Sequence, residues 1–187
     1  MKNDKIHIRP ATADDKCIIA TTICMAIGFD TTHPAYSVFE KLAVLEQSQY
    51  SFRNTLVAEV EGKVAGAIIG YDGALLHQLR EVAIPLIRQH LGDGVKLEDE
   101  TQSGEFYLDS VGILPQFRGM GIGRKLICMM CQRAFEQGHY QVGLLVDLDN
   151  PRAEALYTSL GFKHIDNKMF MGHQMHHLQI IPDRLKK

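Results

Sequence analysis

An α/β (α+β) fold with helices packed about a mixed sheet is what this 187-residue chain predicts, and three observations predict it. An alternating strand runs straight into a capped helix at the N-terminus. Two β-rich runs meet at Glu61-Gly62, a spacing that makes an antiparallel hairpin. Between residues 105 and 146 a strand, a glycine-rich turn, a helix and another strand follow in order, which is a parallel βαβ unit with a right-handed crossover.

In chain order, residues 6–10 alternate apolar and polar side chains, and Thr12 with Asp14 and Asp15 supplies N-cap and first-turn chemistry for a helix over 14–27, ending near Gly28. A shorter helical pattern runs over 37–49. The hairpin strands cover 55–60 and 63–71. Apolar residues then recur at helical spacing over 74–91, where Pro85 should break or kink the helix, and an acidic, glycine-containing loop continues to Gly104. The βαβ unit assigns a strand to 105–113, a helix to 121–137 and a strand to 141–146. A short helix over 151–160 closes at Gly161, and strands over 162–171 and 174–181 complete the chain. No internal repeat or linker divides it, so one domain is expected.

Composition narrows the function. Hydrophobic residues make up 45% and charged residues 22%, ordinary values for a globular protein that folds without staples. A formal net charge of −2 gives no basic field for phosphate backbones, so nucleic acid is not an expected partner. No apolar run reaches the length of a signal peptide or membrane span, so neither export nor a membrane partner is expected and the cytoplasm is the expected location. Reduced cysteines follow from that location, and Cys17, Cys24, Cys128 and Cys131 are expected to pack as small apolar residues. The Cys128–Cys131 spacing is that of a redox or zinc half-site, but no second pair accompanies it and the segment falls inside an amphipathic helix pattern. His173, His176 and His177 fall in a terminal strand where the last two point to opposite faces, so no metal is expected there; one of the three could line a pocket.

The most informative stretch joins the 105–113 strand to the following helix and includes Arg118-Gly119-Met120-Gly121-Ile122-Gly123-Arg124-Lys125. Glycine removes Cβ atoms where backbone must curl closely about a ligand, and the free N–H groups of a helix start can cradle phosphate oxygens. Arg118, Arg124 and Lys125 add positive charge, as a pyrophosphate would require. The dinucleotide fingerprint fails because Arg124 stands where its third glycine belongs, and the triphosphate loop fails because no Gly-Lys-Ser/Thr is present.

Arg118-Gly119-Met120-Gly121-Ile122-Gly123 resembles the coenzyme A loop of the GNAT acetyltransferase superfamily. Some thirty residues on, Asn150-Pro151-Arg152-Ala153-Glu154-Ala155-Leu156-Tyr157-Thr158-Ser159-Leu160-Gly161-Phe162 is similar to that family's second signature of Asn, Ala, Leu-Tyr and Gly-Phe. Over the N-terminal part the resemblance is one of element order. It implies a mixed, mostly antiparallel sheet whose two central parallel strands, here near Val111 and Leu145, splay apart to admit the pantetheine arm. It also implies a single N-acetyltransferase domain. The chain departs from the family pattern at about 72–104, where a helical insertion is expected to serve as a substrate lid or a dimer contact, so a homodimer is the oligomer expected.

The resemblance further implies acetyl-CoA as cosubstrate, no metal, and an acceptor that is a primary amine of a small molecule or peptide. Val111, Gly112 and Ile113 would bind the cosubstrate from the strand, residues Arg118, Gly119, Met120, Gly121, Ile122, Gly123 and Arg124 from the loop, and Asn150 from the helix start. Tyr157 would protonate the departing thiolate; as residues alone, Tyr157 could equally be a core tyrosine and Asn150 a plain N-cap. Glu105, Tyr107 and Asp109 share one strand face, any of them could be the base, and Asp109 lies nearest the expected thioester. Relatives that acetylate protein N-termini often carry a glutamate where this chain has Leu145. The alternatives are a non-catalytic acyl-CoA-binding regulatory module and an O-acyl or longer-chain acyltransferase.

Overall fold

The computed structural model describes residues 6–91 and 98–186; residues 92–97 of the acidic loop and residues 1–5 of the N-terminus, on which part of the expectations above fall, lie outside it. Strands β1 (Ile6–Pro10), β2 (Thr55–Val60), β3 (Lys63–Asp72), β4 (Phe106–Ile113), β5 (Val142–Asp147), β6 (Lys163–Phe170) and β7 (His173–Ile180) form one sheet in the order β1-β2-β3-β4-β5-β7-β6. All neighbours are antiparallel except β4 and β5. Helices α1 (Lys16–Ala26), α2 (Ala35–Ala43), α3 (Leu76–Glu81), α4 (Ala83–Leu91), α5 (Ile122–Glu136) and α6 (Pro151–Leu160) flank it.

Local chemistry explains most boundaries. Glu61 and Gly62 both adopt positive φ, 52° and 75°, as the tight turn of a twisted hairpin demands; Met171 and Gly172 repeat this between β6 and β7. At the start of α1 the Asp15 carboxylate accepts the Thr12 N–H at 2.8 Å and pairs with Arg9 at 2.7 Å. Burial opposes that ionisation, but the Arg9 and Thr12 hydrogen bonds prevail and hold Asp15 below its ordinary carboxylate range.

Three expectations are corrected. The second helix stops at Ala43 rather than 49, because residues 45–51 form turns whose Ser48 and Gln49 carbonyls accept the Asn54 side chain and whose Ser51 hydroxyl caps Arg53. The 74–91 helix is two helices, and the break falls at Val82 rather than Pro85, which sits in the first turn of α4 where a missing N–H is tolerated. Of the cysteines, Cys24 and Cys131 are core residues, whereas Cys17 is exposed and donates to Glu40.

Both sheet faces are covered. On one, α5 and α6 bury Leu126, Ile127, Met130 and Leu160 against Ile68, Leu108, Leu144 and Ile180. On the other, α1, α2 and α4 bury Ile19, Ile23, Leu42 and Ile87 against Val57, Ala67 and Ile69, while α3 sets Leu76 and Leu79 on Tyr71 and Tyr107. At roughly 25 cal/mol per Å² of apolar surface removed from water, these two layers are the main source of stability.

The parallel pair decides the geometry of the site. β4 and β5 are in register only at Phe106 with Val142 and Tyr107 with Gly143, and beyond those two pairs they diverge. Beside that last contact, Glu105 receives hydrogen bonds from Thr101 at 2.8 Å and Gln179 at 2.7 Å and meets His177 at 2.9 Å, itself 2.9 Å from Asp166. Gly143 lies directly against the Glu105 carboxylate, leaving no room for a Cβ. Gly143→Ala should therefore cost about 1–3 kcal/mol by overpacking and lower the melting temperature by several degrees; a wild-type melting temperature would show that the carboxylate moves aside freely.

Candidate active site

Where β4 parts from β5, it also bulges. Ile69 pairs with Ser110 and the next β3 residue, Gly70, with Leu108, so Asp109 is the extra residue of the bulge. That extra residue reverses the facing of the strand: Leu108 before it and Val111 after it both pack on the α5 side. Glu105 and Tyr107 keep the period-two relation read from the sequence, whereas Asp109 owes its position to the bulge.

The amides beyond the bulge have divided duties. Leu114 donates its N–H to the Ala65 carbonyl at 2.9 Å, and the alternation of an antiparallel ladder turns Gly112 toward β3 as well, leaving the N–H groups of Val111 and Ile113 facing the opening. Gly112 is thus directed away from the opening, and its Cα lies under α1, where an added Cβ would come within 3.0 Å of Thr22.

Past Ile113 the chain makes a 3₁₀ turn at Pro115–Phe117 and enters α5 through Gly119 and Gly121, with φ of 78° and 79°. A Cβ built on either glycine meets nothing within 4 Å, so both face open space in a conformation that L residues avoid. At Gly123 φ is ordinary and a Cβ would make normal contacts of 3.9 Å and 4.0 Å with Ile113 and Leu156. Ile122 buries its side chain in the core, and the exposed Met120 lies on the turn, so any contact by Ile122 must come through its N–H at the α5 start. Arg118 folds back to donate Nε–H to the Ile113 carbonyl at 3.2 Å, and Arg124 reaches Ser159 of α6 at 2.6 Å. This open, amide-rich turn with two arginines fits a pyrophosphate.

Across the opening, α6 begins at Asn150, whose Oδ1 accepts the Ala153 N–H at 3.1 Å. The N-cap reading is thereby satisfied. Tyr157 packs its ring edge-on to Phe162 at 5.8 Å, and its hydroxyl makes no hydrogen bond to a described residue. Burial pushes its phenol up to about 12, so it stays protonated at neutral pH. A small cavity is lined by Ile68, Leu108, Asp109, Ser110, Val111, Ile127, Leu145 and Tyr157, which brings the two residues singled out for proton transfer to one space.

Asp109 accepts the Ser110 hydroxyl at 2.7 Å and lies 3.3 Å from the Tyr71 hydroxyl. Burial, then the nearby Glu100 carboxylate, push it up to about 7, against those hydrogen bonds. Sequence reasoning missed Tyr71, Arg80 and Glu100, which build this environment from β3, α3 and the far end of the acidic loop. Arg80 is ion-paired with Glu100 and with Asp99, the latter at 2.9 Å, and is almost wholly buried. The terminal-strand histidines have carboxylate partners: His173 with Asp147, His176 with Glu154 on one face and His177 with Glu105 on the other. Among the described residues no group of three or more His, Cys, Asp or Glu could hold a metal, and no helix is long and apolar enough to cross a membrane.

Comparison with known proteins adds a family to this geometry. Residues 25–162 match the family described as Acetyltransferase (GNAT). The mycothiol acetyltransferase of Nocardiopsis dassonvillei is 41% identical over 120 residues, which are 63% of this chain and 34% of that protein. That of Kocuria rhizophila is 40% identical over 79 residues, 41% and 24% of the two chains, so this chain spans about a third or less of the length of these curated relatives. Among solved structures, one described as an acetyltransferase is 31% identical with a TM-score of 0.79, covering 94% of this chain and 98% of that one. An N-acetyltransferase from Staphylococcus aureus Mu50 is 26% identical with a TM-score of 0.80, covering 93% and 100%. The matched segment contains the diverging strands, the glycine turn and Tyr157, and covers most of the sequence: this chain belongs to the GNAT acetyltransferase family.

Proposed function

We propose that the protein is an acetyl-CoA-dependent N-acetyltransferase that acts by direct attack of a primary amine, with Asp109 as general base and Tyr157 as general acid. The observation that carries this reading is the small cavity at the β4–β5 divergence, which Asp109 and Tyr157 line from different elements. Acetyl-CoA, when bound, supplies the activated acyl carbon. Backbone amides from Gly119 to Arg124 hold its pyrophosphate at the α5 start, with Arg118 and Arg124 adding charge and Asn150 bordering the opening. The N–H groups of Val111 and Ile113 bind along the arm and stabilise negative charge on the carbonyl oxygen. Asp109 takes a proton from the acceptor ammonium, which leaves the amine a lone pair to attack the acyl carbon, and Tyr157 donates a proton to the departing sulfur. Family membership, the open turn and a Tyr157 hydroxyl without a hydrogen bond among the described residues support these roles.

The described residues of the 72–104 insertion serve as a substrate cover: Glu98 accepts the Met171 N–H at 2.8 Å and so joins its far end to the β6–β7 turn. The test is coenzyme A release with 2-phenylethylamine, spermidine and a short peptide with a free N-terminus as acceptors. Amine-dependent release is expected with at least one of them, and saturable acetyl-CoA binding without any transfer would favour a regulatory module.

Asp109 gives the reaction its pH dependence. As base it must be ionised, so activity should rise with pH through about 7. Asp109→Asn should remove that inflection and lower kcat by about 100-fold or more. The same group has a stability signature: with its folded pKa raised above the unfolded value, the folded state binds the proton more tightly. This contribution to stability therefore falls as pH rises from the ordinary carboxylate range to about 7. Asp109→Asn should accordingly melt higher than wild type at pH 8, and a lower melting temperature would contradict the buried, raised carboxyl.

A further inference from the structure

Asp109 does not stand alone. The Tyr71 hydroxyl donates to Glu100 Oε1 at 2.6 Å and lies 3.3 Å from Asp109 Oδ2, so one O–H group has two carboxyl acceptors. The one proton is shared unequally between them: the shorter contact draws it mainly to Glu100, and Asp109 Oδ2 keeps a longer, weaker hydrogen bond from it. Oδ2 of Asp109 is then an acceptor whose neighbour, the Tyr71 oxygen, can itself receive a hydrogen bond as soon as Asp109 carries a proton. On the far side, the second Glu100 oxygen is held by Arg80, whose guanidinium also binds the Glu98 carbonyl and the half-exposed Asp99. Glu100 is 2% exposed and Asp109 partly buried, so water screens this pair poorly.

We infer that Asp109, Tyr71 and Glu100 form one proton-accepting unit, in which Tyr71 and Glu100 are positioning residues that take the substrate proton on from Asp109. The inference rests on Asp109 being the base. The acceptor N–H bond breaks with its electron pair left on nitrogen, and an O–H bond forms on Asp109. That proton then passes to the Tyr71 oxygen as the Tyr71 proton passes to Glu100 Oε1. Asp109 is again a carboxylate, Tyr71 is unchanged, and Glu100 is neutral until it releases the proton to water after product leaves. Placing the second carboxylate one hydroxyl away lets the unit hold one proton without neutralising the group that faces the substrate. Both carboxylates ionised at once are disfavoured by their mutual repulsion, the condition under which two acids titrate as a pair.

Tyr71 from β3, Ser110 from β4, Arg80 from α3 and Glu100 from the 98–100 segment act on Asp109, whose charge in turn raises the phenols of Tyr107 on β4 and Tyr50 in the turns after α2. Two of them make opposite demands. The Tyr71 hydrogen bond favours the ionised form of Asp109, and the Glu100 charge disfavours it. Removing each should therefore move the Asp109 titration in opposite directions, which a merely structural role would not do.

The experiment is a ¹³C-carboxyl NMR titration of wild type, Tyr71→Phe and Glu100→Gln, with the Asp109 signal identified by its absence in Asp109→Asn. The Asp109 midpoint should rise in Tyr71→Phe and fall in Glu100→Gln. If either folded variant keeps the wild-type midpoint, the inference is overturned. Should Glu100→Gln fail to fold, Tyr71→Phe decides alone, since it keeps the ring packed edge-on to Tyr107 at 5.9 Å.

In turnover with the fastest amine of the acceptor set, Tyr71→Phe should lower kcat by about 10-fold, less than the ~100-fold minimum for losing the base, with the KM for acetyl-CoA little changed. A wild-type kcat would also overturn the inference. The two readings fail separately: full activity in Asp109→Asn removes the base, whereas an inactive Asp109→Asn beside an unshifted titration in Tyr71→Phe removes only the unit around it.

Discussion

Tyr157→Phe is expected to slow single-turnover acetyl transfer by about 100-fold to 10,000-fold, the usual range for a positioned general acid, while acetyl-CoA affinity stays nearly constant. The substitution removes one oxygen. The ring that remains still packs edge-on to Phe162 and on the α5-side core, so the fold should not register the change. What is lost is a proton donor that makes no hydrogen bond to a described residue and, with burial holding its phenol near 12, keeps its proton across the working pH range. A donor engaged elsewhere would have to break a hydrogen bond first; this one does not. The measurement must be single-turnover, because slow product release could hide the chemical step in kcat. Transfer at the wild-type rate would reduce Tyr157 to a packing residue and leave water as the proton source.

Gly121→Val should weaken acetyl-CoA binding by more than about 10-fold, equivalent to ~1.4 kcal/mol. Two effects act together. At φ of 79° a β-branched residue is strained, so the turn must change shape to relieve it. If it does not, the side chain projects into the open space over the turn, where nothing in the protein lies within 4 Å and where the ligand backbone contact is expected. Gly123→Ala is the matched control: its φ is ordinary and its Cβ would make only normal contacts, so affinity should be nearly retained. Calorimetry on both variants, with melting curves to confirm folding, checks the pair. Equal affinities for a folded Gly121→Val and for wild type would remove this turn from the site.

The parts of the site that were legible in the sequence are those governed by local chemistry. The glycines at 119 and 121 mark a turn with no Cβ in the way, where both take positive φ, and Asn150-Pro151 announces a helix start, so the turn and the beginning of α6 could be read directly. The register of β3 against β4 is another matter. Nothing in Leu108-Asp109-Ser110 marks a bulge, because the bulge is a property of how two strands pair, and the period-two reading of Glu105, Tyr107 and Asp109 could not contain it. Arg80, Glu100 and Tyr71 were illegible for a related reason: their contacts are made across 20 and 29 residues of sequence, and Glu100 looked like one charge in an acidic, solvated run. Pro85 misled because a proline fits the first turn of a helix as well as the point where a helix ends; α4 begins two residues before it.

Acetyl-CoA is expected to enter between β4 and β5 with its pyrophosphate on the α5 start. The backbone amide resonances of the uniformly ¹⁵N-labelled protein, followed as acetyl-CoA is added, test this. Saturable shifts should appear at Val111 and Ile113 on β4 and at Gly119 through Arg124 on the turn, with Gly112, whose N–H is turned toward β3, moving less than its two neighbours. Saturable binding that leaves the Gly119–Arg124 amides unmoved, or no binding at all, would contradict it.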